Sequence, residues 1–302
     1  MKKLRIIKGG PVLNEHKLLP VAGLLFSAVA WGIIWYPYRL LGGIGVSGEM
    51  AILVTYLVAL IATTVFSPHA WRQFARAPGT LMVVAIAAGW CNLAYVLGVL
   101  SGEVMRVTLL FYLAPLWTVP FARVILKERI SGVGYLVVFF AFCGAVVMLW
   151  NPVWGLPMPS TNAEWLGLSS GFCFALANVM IRRADTCGVV IKSLTVFLGV
   201  VLAALCAALL TPNVTAKAFS FPYQAMPLTL LIGGVIVMMS LAINYGLSRV
   251  PATQAIVILL FELVVAAFAS YFLAGEVMGL KQWIGGAMIV AASLFSSQIK
   301  SV

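Results

Sequence analysis

The sequence predicts an all-α polytopic membrane protein of ten transmembrane helices, arranged as two inverted five-helix repeats with both termini in the cytoplasm. Three observations carry that expectation. Hydrophobic residues fill 63% of the 302 positions and charged residues only 9%, with a mean hydropathy of +1.09; lipid is the solvent that suits such a surface. The apolar stretches each approach the ~20 residues a helix needs to cross the hydrocarbon core, and each ends at a short loop. Residues of the first half recur in the second at a constant offset, so that Leu93, Ala94 and Gly98 answer to Leu241, Ala242 and Gly246.

The elements follow in order. A basic, polar cytoplasmic segment, 1–17, leads into the first span, 18–41, without a small-residue cleavage site, so this span is read as retained and not as a signal peptide. Within it, Trp31, Trp35 and Tyr38 share one helical face by their i, i+4, i+7 spacing. After the second span, 47–67, the third, 79–100, carries the small-residue run Ala85 to Gly89, then Trp90, Asn92 and Tyr95. The fourth, 104–122, holds Tyr112 and Pro115, and the proline is expected to kink it. The fifth, 133–150, closes a first repeat of 18–150, and an outer linker, 151–162, leads to the second repeat, 163–298.

In that repeat the sixth span, 163–184, aligns Ser170, Phe174 and Asn178 on one face, and the seventh is 189–210. The eighth, 225–247, carries Gly233, Gly234, Ser240 and Asn244; the ninth, 252–273, carries Glu262; and the tenth, 281–298, carries Gly285 and Gly286 before a cytoplasmic C-terminus, 299–302. Small residues let helices approach closely and slide, in rocking bundles and static ones alike. The loops are too short to fold as extramembrane domains, so function is expected inside the bilayer.

A formal charge of +11 would point to nucleic acid in a soluble protein. Here the charges are segregated: with the N-terminus inside, only Arg39, Arg106, Lys217 and Lys281 of the 19 lysines and arginines lie outside. That asymmetry sets the orientation by the positive-inside rule, and it calls for an even number of spans. The five cysteines have no ligand spacing and are read as small hydrophobes, and the two histidines, His16 and His69, sit in loops. No metal and no cofactor is expected.

Five spans per repeat is odd, so the second copy enters the membrane from the opposite side. Such inverted repeats suit alternating access about a site near the midplane. The offset also pairs Glu128, at the inner face, with Glu276, at the outer, both at span ends where capping or interhelix bonding is the expected role.

These residues resemble the EamA-type drug/metabolite transporter superfamily over nearly the whole chain. The resemblance is carried by Ala30-Trp31-Gly32, by Pro115 followed by Glu128, and by Glu262 followed by Glu276. The block Phe111-Tyr112-Leu113-Ala114-Pro115 is most similar to the aromatic amino acid exporter branch, the YddG-like proteins. Leu263 stands where the superfamily often has proline, so a ninth-span kink matching the fourth has no proline to make it. The resemblance implies a bacterial inner-membrane exporter of small amphipathic metabolites, aromatic and other neutral amino acids among them. Fold analogy does not fix the cargo.

Candidate site residues are the deeper rings and amides: Trp31, Trp90, Asn92, Tyr95, Tyr112, Asn178 and Asn244. For each, a cavity role stands beside helix packing, because an amide in lipid needs either a partner or a water-filled space. Glu262 is the one acid near the middle of a span, and an ionisable group at that depth is a functional candidate by default. It could be a protonatable coupling group, a partner for a substrate amine or a neutral hydrogen-bond donor.

A secondary transporter leads these readings, with a multidrug or cationic-compound exporter of the same fold as the alternative and a channel as a third class. An intramembrane enzyme would need a nucleophile and base or a metal set, and the spans hold no histidine or aspartate. No Walker-type loop offers ATP drive. The partners expected are a small-molecule substrate and the lipid bilayer, not nucleic acid. A monomer, carrying both repeats, suffices for a site.

Overall fold

The computed structural model describes residues 15–102, 104–128, 131–150, 159–210, 221–274 and 279–295. Its helices are α1 (Glu15–Gly43), α2 (Gly48–Phe66), α3 (Pro78–Ser101), α4 (Val104–Phe111), α5 (Ala114–Ile125) and α6 (Gly132–Leu149) in the first half. The second half has α7 (Asn162–Arg183), α8 (Val189–Leu210), α9 (Met226–Leu247), α10 (Ala252–Leu259), α11 (Phe261–Ala274) and α12 (Leu280–Phe295). Where their ends are described, these helices match the ten expected spans to within a turn, the fourth span being α4 with α5 and the ninth α10 with α11. Nine spans among the described residues are long and apolar enough to cross a membrane; the tenth contributes the shorter apolar stretch Trp283–Phe295. Residues 1–14, most of the linker, Arg129, Lys217, Glu276 and the C-terminus lie outside the described residues.

Local chemistry sets several helix starts. Ser47 Oγ accepts from the Met50 N–H at 3.3 Å, and Ser131 Oγ from the Gly134 N–H at 3.2 Å. At α7 the Thr161 hydroxyl oxygen accepts from the Glu164 N–H at 3.3 Å, while the Glu164 carboxylate accepts from the Ser160 N–H at 2.7 Å. Each cap satisfies backbone donors that a helix leaves unpaired.

The fourth and ninth spans are broken at corresponding places, α4 ending at Phe111 and α10 at Leu259. Pro115 accounts for the first break by having no N–H to give. The second needs no proline: the Leu263 N–H turns to the Leu260 carbonyl at 3.1 Å, a tightened turn in place of the α-helical bond. The ninth span therefore breaks without the residue whose absence argued against a break.

Packing repeats between the halves. α3 lies against α7 and α8 as α9 lies against α1 and α2; α4 and α5 lie on α7 as α10 and α11 lie on α1. The pairs α2 with α8 and α6 with α12 map onto themselves. Exchanging the halves leaves these contacts unchanged, as a two-fold axis between repeats requires. With an odd number of spans per repeat, that axis lies in the membrane plane.

Glycines make the closest approaches. A Cβ at Gly98 would sit 3.0 Å from the Ala163 carbonyl oxygen, and one at its counterpart Gly246 would sit 2.8 Å from that of Pro20. On the α3–α8 contact, a Cβ at Gly199 would collide with the Ala85 carbonyl and one at Gly89 with that of Gly199. Both obstacles are backbone, which cannot swing aside. Gly199→Val is expected to cost about 1–3 kcal/mol of stability or more, read as a lower melting temperature in detergent.

Candidate functional site

Where α1, α2, α3, α7, α8 and α9 converge, they enclose a cavity of about 90 Å³. It is lined by Trp31, Asn92, Asn178 and Asn244, with Tyr56 and Phe174 among its other walls. The rest of the lining is apolar or small, from Ala88 and Ala177 to Ile236 and Leu247. The cavity joins elements of both repeats, so movement of one half against the other changes its shape.

The three asparagines differ in what their amides do. Asn92 is satisfied within the protein, its Nδ2 donating to the Ala88 carbonyl at 2.9 Å and its Oδ1 accepting from the Tyr56 hydroxyl at 3.1 Å. Asn244 donates through Nδ2 to Ser193 Oγ at 2.9 Å and to Ser240 Oγ at 3.3 Å. Its Oδ1 is buried with no hydrogen-bond partner in the protein, and so is the Nδ2 of Asn178. Buried polar groups are nearly always paired, and one left without a partner is costly, about 1–3 kcal/mol. An unpaired acceptor and an unpaired donor on residues that line a mostly apolar cavity call for a ligand, or for water, that supplies the complement.

Tyr95, Tyr112 and Glu262 form a neighbouring group. The Phe111 ring stands 5.0 Å from both tyrosine rings and 5.3 Å from Phe174, which itself lines the cavity. The Tyr95 hydroxyl pairs with Thr108 Oγ1 at 3.3 Å. The Glu262 carboxyl lies beside the Tyr112 hydroxyl and within electrostatic reach of Tyr95 and Cys91. Gly32, next to Trp31, lets the ninth span come close to the first: a Cβ there would stand 2.8 Å from Val265 Cβ and 2.9 Å from the Glu262 backbone carbonyl oxygen. Pro115 is buried at the start of α5.

Trp90 belongs to neither group. It is 43% exposed, and its indole N–H donates to Ser169 Oγ at 3.2 Å. The helical position before it, Gly89, faces α8, and a rotation of one residue turns Trp90 outward. Sequence reasoning missed Tyr56 and Ser193, which hold Asn92 and Asn244 in place. For Tyr56 the signal was available, since an aromatic ring with a polar tip deep in an apolar span needs a partner.

At the end of the bundle where α5, α7 and α9 finish, Glu128 does two jobs. One carboxylate oxygen accepts from Arg182 Nε at 2.5 Å, and the other accepts from the Ala252 N–H at 3.2 Å, capping α10. Capping and interhelix bonding, the roles expected of this residue, occur together. Among the described residues, no group of histidine, cysteine and acidic side chains could hold a metal ion.

Residues 18–150 and 161–298 each match the EamA-like transporter family. An uncharacterized transporter of Archaeoglobus fulgidus is 26% identical over 276 residues, covering 91% of this chain and 95% of its own. An uncharacterized transporter of Pseudomonas aeruginosa is 24% identical over 168 residues, 53% of each chain. A protein of known crystal structure superposes with a TM-score of 0.72 at 16% identity, over 92% of this chain and 96% of that one, and shares the fold.

Proposed function

Since this chain belongs to the EamA-like transporter family, we propose that it is a secondary transporter that exports small amphipathic metabolites, aromatic and other neutral amino acids in particular, by alternating access around the cavity of Asn178 and Asn244. It is a multi-pass membrane protein; on this reading it sits in the bacterial inner membrane, and the charge asymmetry of its loops supports an orientation with both termini inside. The observation that carries the substrate class is the pair of open amide groups. The Asn178 donor suits a carboxylate and the Asn244 acceptor suits an ammonium, while Trp31 and Phe174 offer faces for an apolar side chain.

At about 90 Å³ the cavity is well below the ~300 Å³ at which ligand pockets begin, so cargo enters only when the helices part. The repeats 18–150 and 163–298 are the units that rock. Each supplies part of the cavity wall, so one chain is a complete carrier.

Counterflow in vesicles of purified protein tests this. Labelled phenylalanine is expected to accumulate transiently against excess unlabelled phenylalanine inside, with saturation. Linear flux without counterflow would instead mark a channel.

The group around Glu262 favours a second reading, export of cationic amphiphiles. A carboxyl beside Tyr95 and Tyr112 offers an ammonium both charge and aromatic faces. Glu262→Gln fixes the neutral form of this side chain. If Glu262 couples export to protons, the variant is expected to keep the low-pH rate and lose its response to rising pH; a cation site would show as loss of cationic cargo at every pH.

A further inference from the structure

Lys192 opens the seventh span and has the composition of a loop-end lysine, yet it is 1% exposed. It lies in the first turn of α8, which starts at Val189. A cation there is set against the helix dipole, whose N-terminal end already carries partial positive charge. Its ammonium has three N–H donors. One goes to Ser248 Oγ at 2.7 Å, and that hydroxyl in turn donates to the Asn244 carbonyl at 2.7 Å.

Among the described residues, no carboxylate lies within ion-pair distance of Lys192. The charged or titratable groups within electrostatic reach are Cys187, Asp185, Arg249 and Arg182. Arg182 is already paired with Glu128. Arg249 is exposed and lies over the Tyr245 ring at 3.8 Å, and Asp185 is exposed to solvent. The result is a buried cation, with a second cation at its lip, that lacks a charge-matched partner.

The neighbours of Lys192 are the cavity's own framework. Ser193 holds Asn244, Val196 one turn on is a wall residue, and Leu247 beside Ser248 is another. A buried intramembrane charge without a partner is costly to keep, so retention of one beside a transport cavity points to an anion that arrives with the cargo.

We infer that Lys192 is a carboxylate receptor at the inner entrance of the cavity, which meets the carboxylate of the cargo when α8 and α9 part and hands it on to the open amide of Asn178. This assignment rests on the reading of the cavity as a transport site. Lys192 is thereby a specificity-determining residue, selecting acids and zwitterions over amides and amines of the same shape.

The test uses purified protein in phosphatidylcholine vesicles, with the melting temperature followed against L-phenylalanine, 3-phenylpropionate, L-phenylalaninamide and phenethylamine. The wild type is expected to be stabilised by the two acids at concentrations about tenfold or more below the two carboxylate-free compounds, as loss of one charge-assisted hydrogen bond implies. Lys192→Met is expected to erase that preference while leaving the response to the amide unchanged, and Lys192→Arg to restore it. Should Lys192→Met fail to fold, Ser248→Ala, which frees the ammonium from its tether, is expected to shift the apparent affinity for the acids and not for the amide.

A wild type that binds none of the four or ranks the amide with the acids would overturn the assignment. So would acid preference intact in Lys192→Met, or preference that appears only when anionic lipid is added. Acid-selective binding without counterflow would leave Lys192 as a carboxylate receptor and remove the transport reading instead.

Discussion

Asn178→Leu is expected to weaken cargo binding by about tenfold to a hundredfold while leaving the amount and melting temperature of folded protein unchanged or slightly raised, because its amide donor has no partner in the protein and, on the proposed reading, serves the carboxylate of the cargo. Leucine nearly matches asparagine in shape and removes a buried donor that lacks a partner, so the fold loses nothing. Asn92→Leu is the contrast. It strips bonds to Ala88 and Tyr56 and leaves the Tyr56 hydroxyl unpaired, so it is expected to lower the melting temperature as well as activity. Apparent KM in counterflow and melting in detergent, measured on both variants, separate a ligand-facing amide from a packing one.

Glu128→Ala has the second large effect, and it falls on stability. Its carboxylate is a clasp between three elements: it leaves the turn after α5, pairs with Arg182 of α7 and caps α10 at Ala252. The turn itself places Lys127 at φ 57°, a left-handed conformation that a side chain adopts at some cost, and it directs Glu128 back into the bundle. The pair is largely sheltered, with side-chain exposures of 9% for Glu128 and 23% for Arg182. Removing one partner leaves a cation without its counter-charge and a helix without its cap. The expected loss is about 3 kcal/mol, at the lower end of what breaking a buried pair costs. Arg182→Ala is expected to lose less, since the cap on α10 survives, and the double variant to be no worse than Glu128→Ala alone. Additive losses would show that the two residues act separately.

How much of this was legible in the sequence depends on which force sets each feature. Span positions follow from hydrophobicity over some twenty residues, an average that single residues do not upset, and the helices begin and end within a turn of the expected places. The ninth-span break was not legible, because a proline was sought and Leu263 reaches the same geometry by closing a tight turn on Leu260. Site residues are harder, since depth along a span says nothing of the direction a side chain faces. Asn178 and Asn244 share the cavity, but Trp90, one residue beyond the close-packed Gly89, turns away from it. Lys192 sat among the inner-face cations in the sequence, and only the packing of α8 against α9 reveals it as buried.

The most direct measurement of the central claim is the reactivity of a cysteine placed at Asn178, in a protein whose five native cysteines are replaced, toward a membrane-impermeant thiol reagent applied to one face at a time. Alternating access around this cavity predicts labelling from either face, in each case slowed by saturating cargo, and slowed further when the cargo gradient holds the site open to the opposite side. Labelling confined to one face under every gradient, or equally fast from both faces and indifferent to cargo, would contradict it.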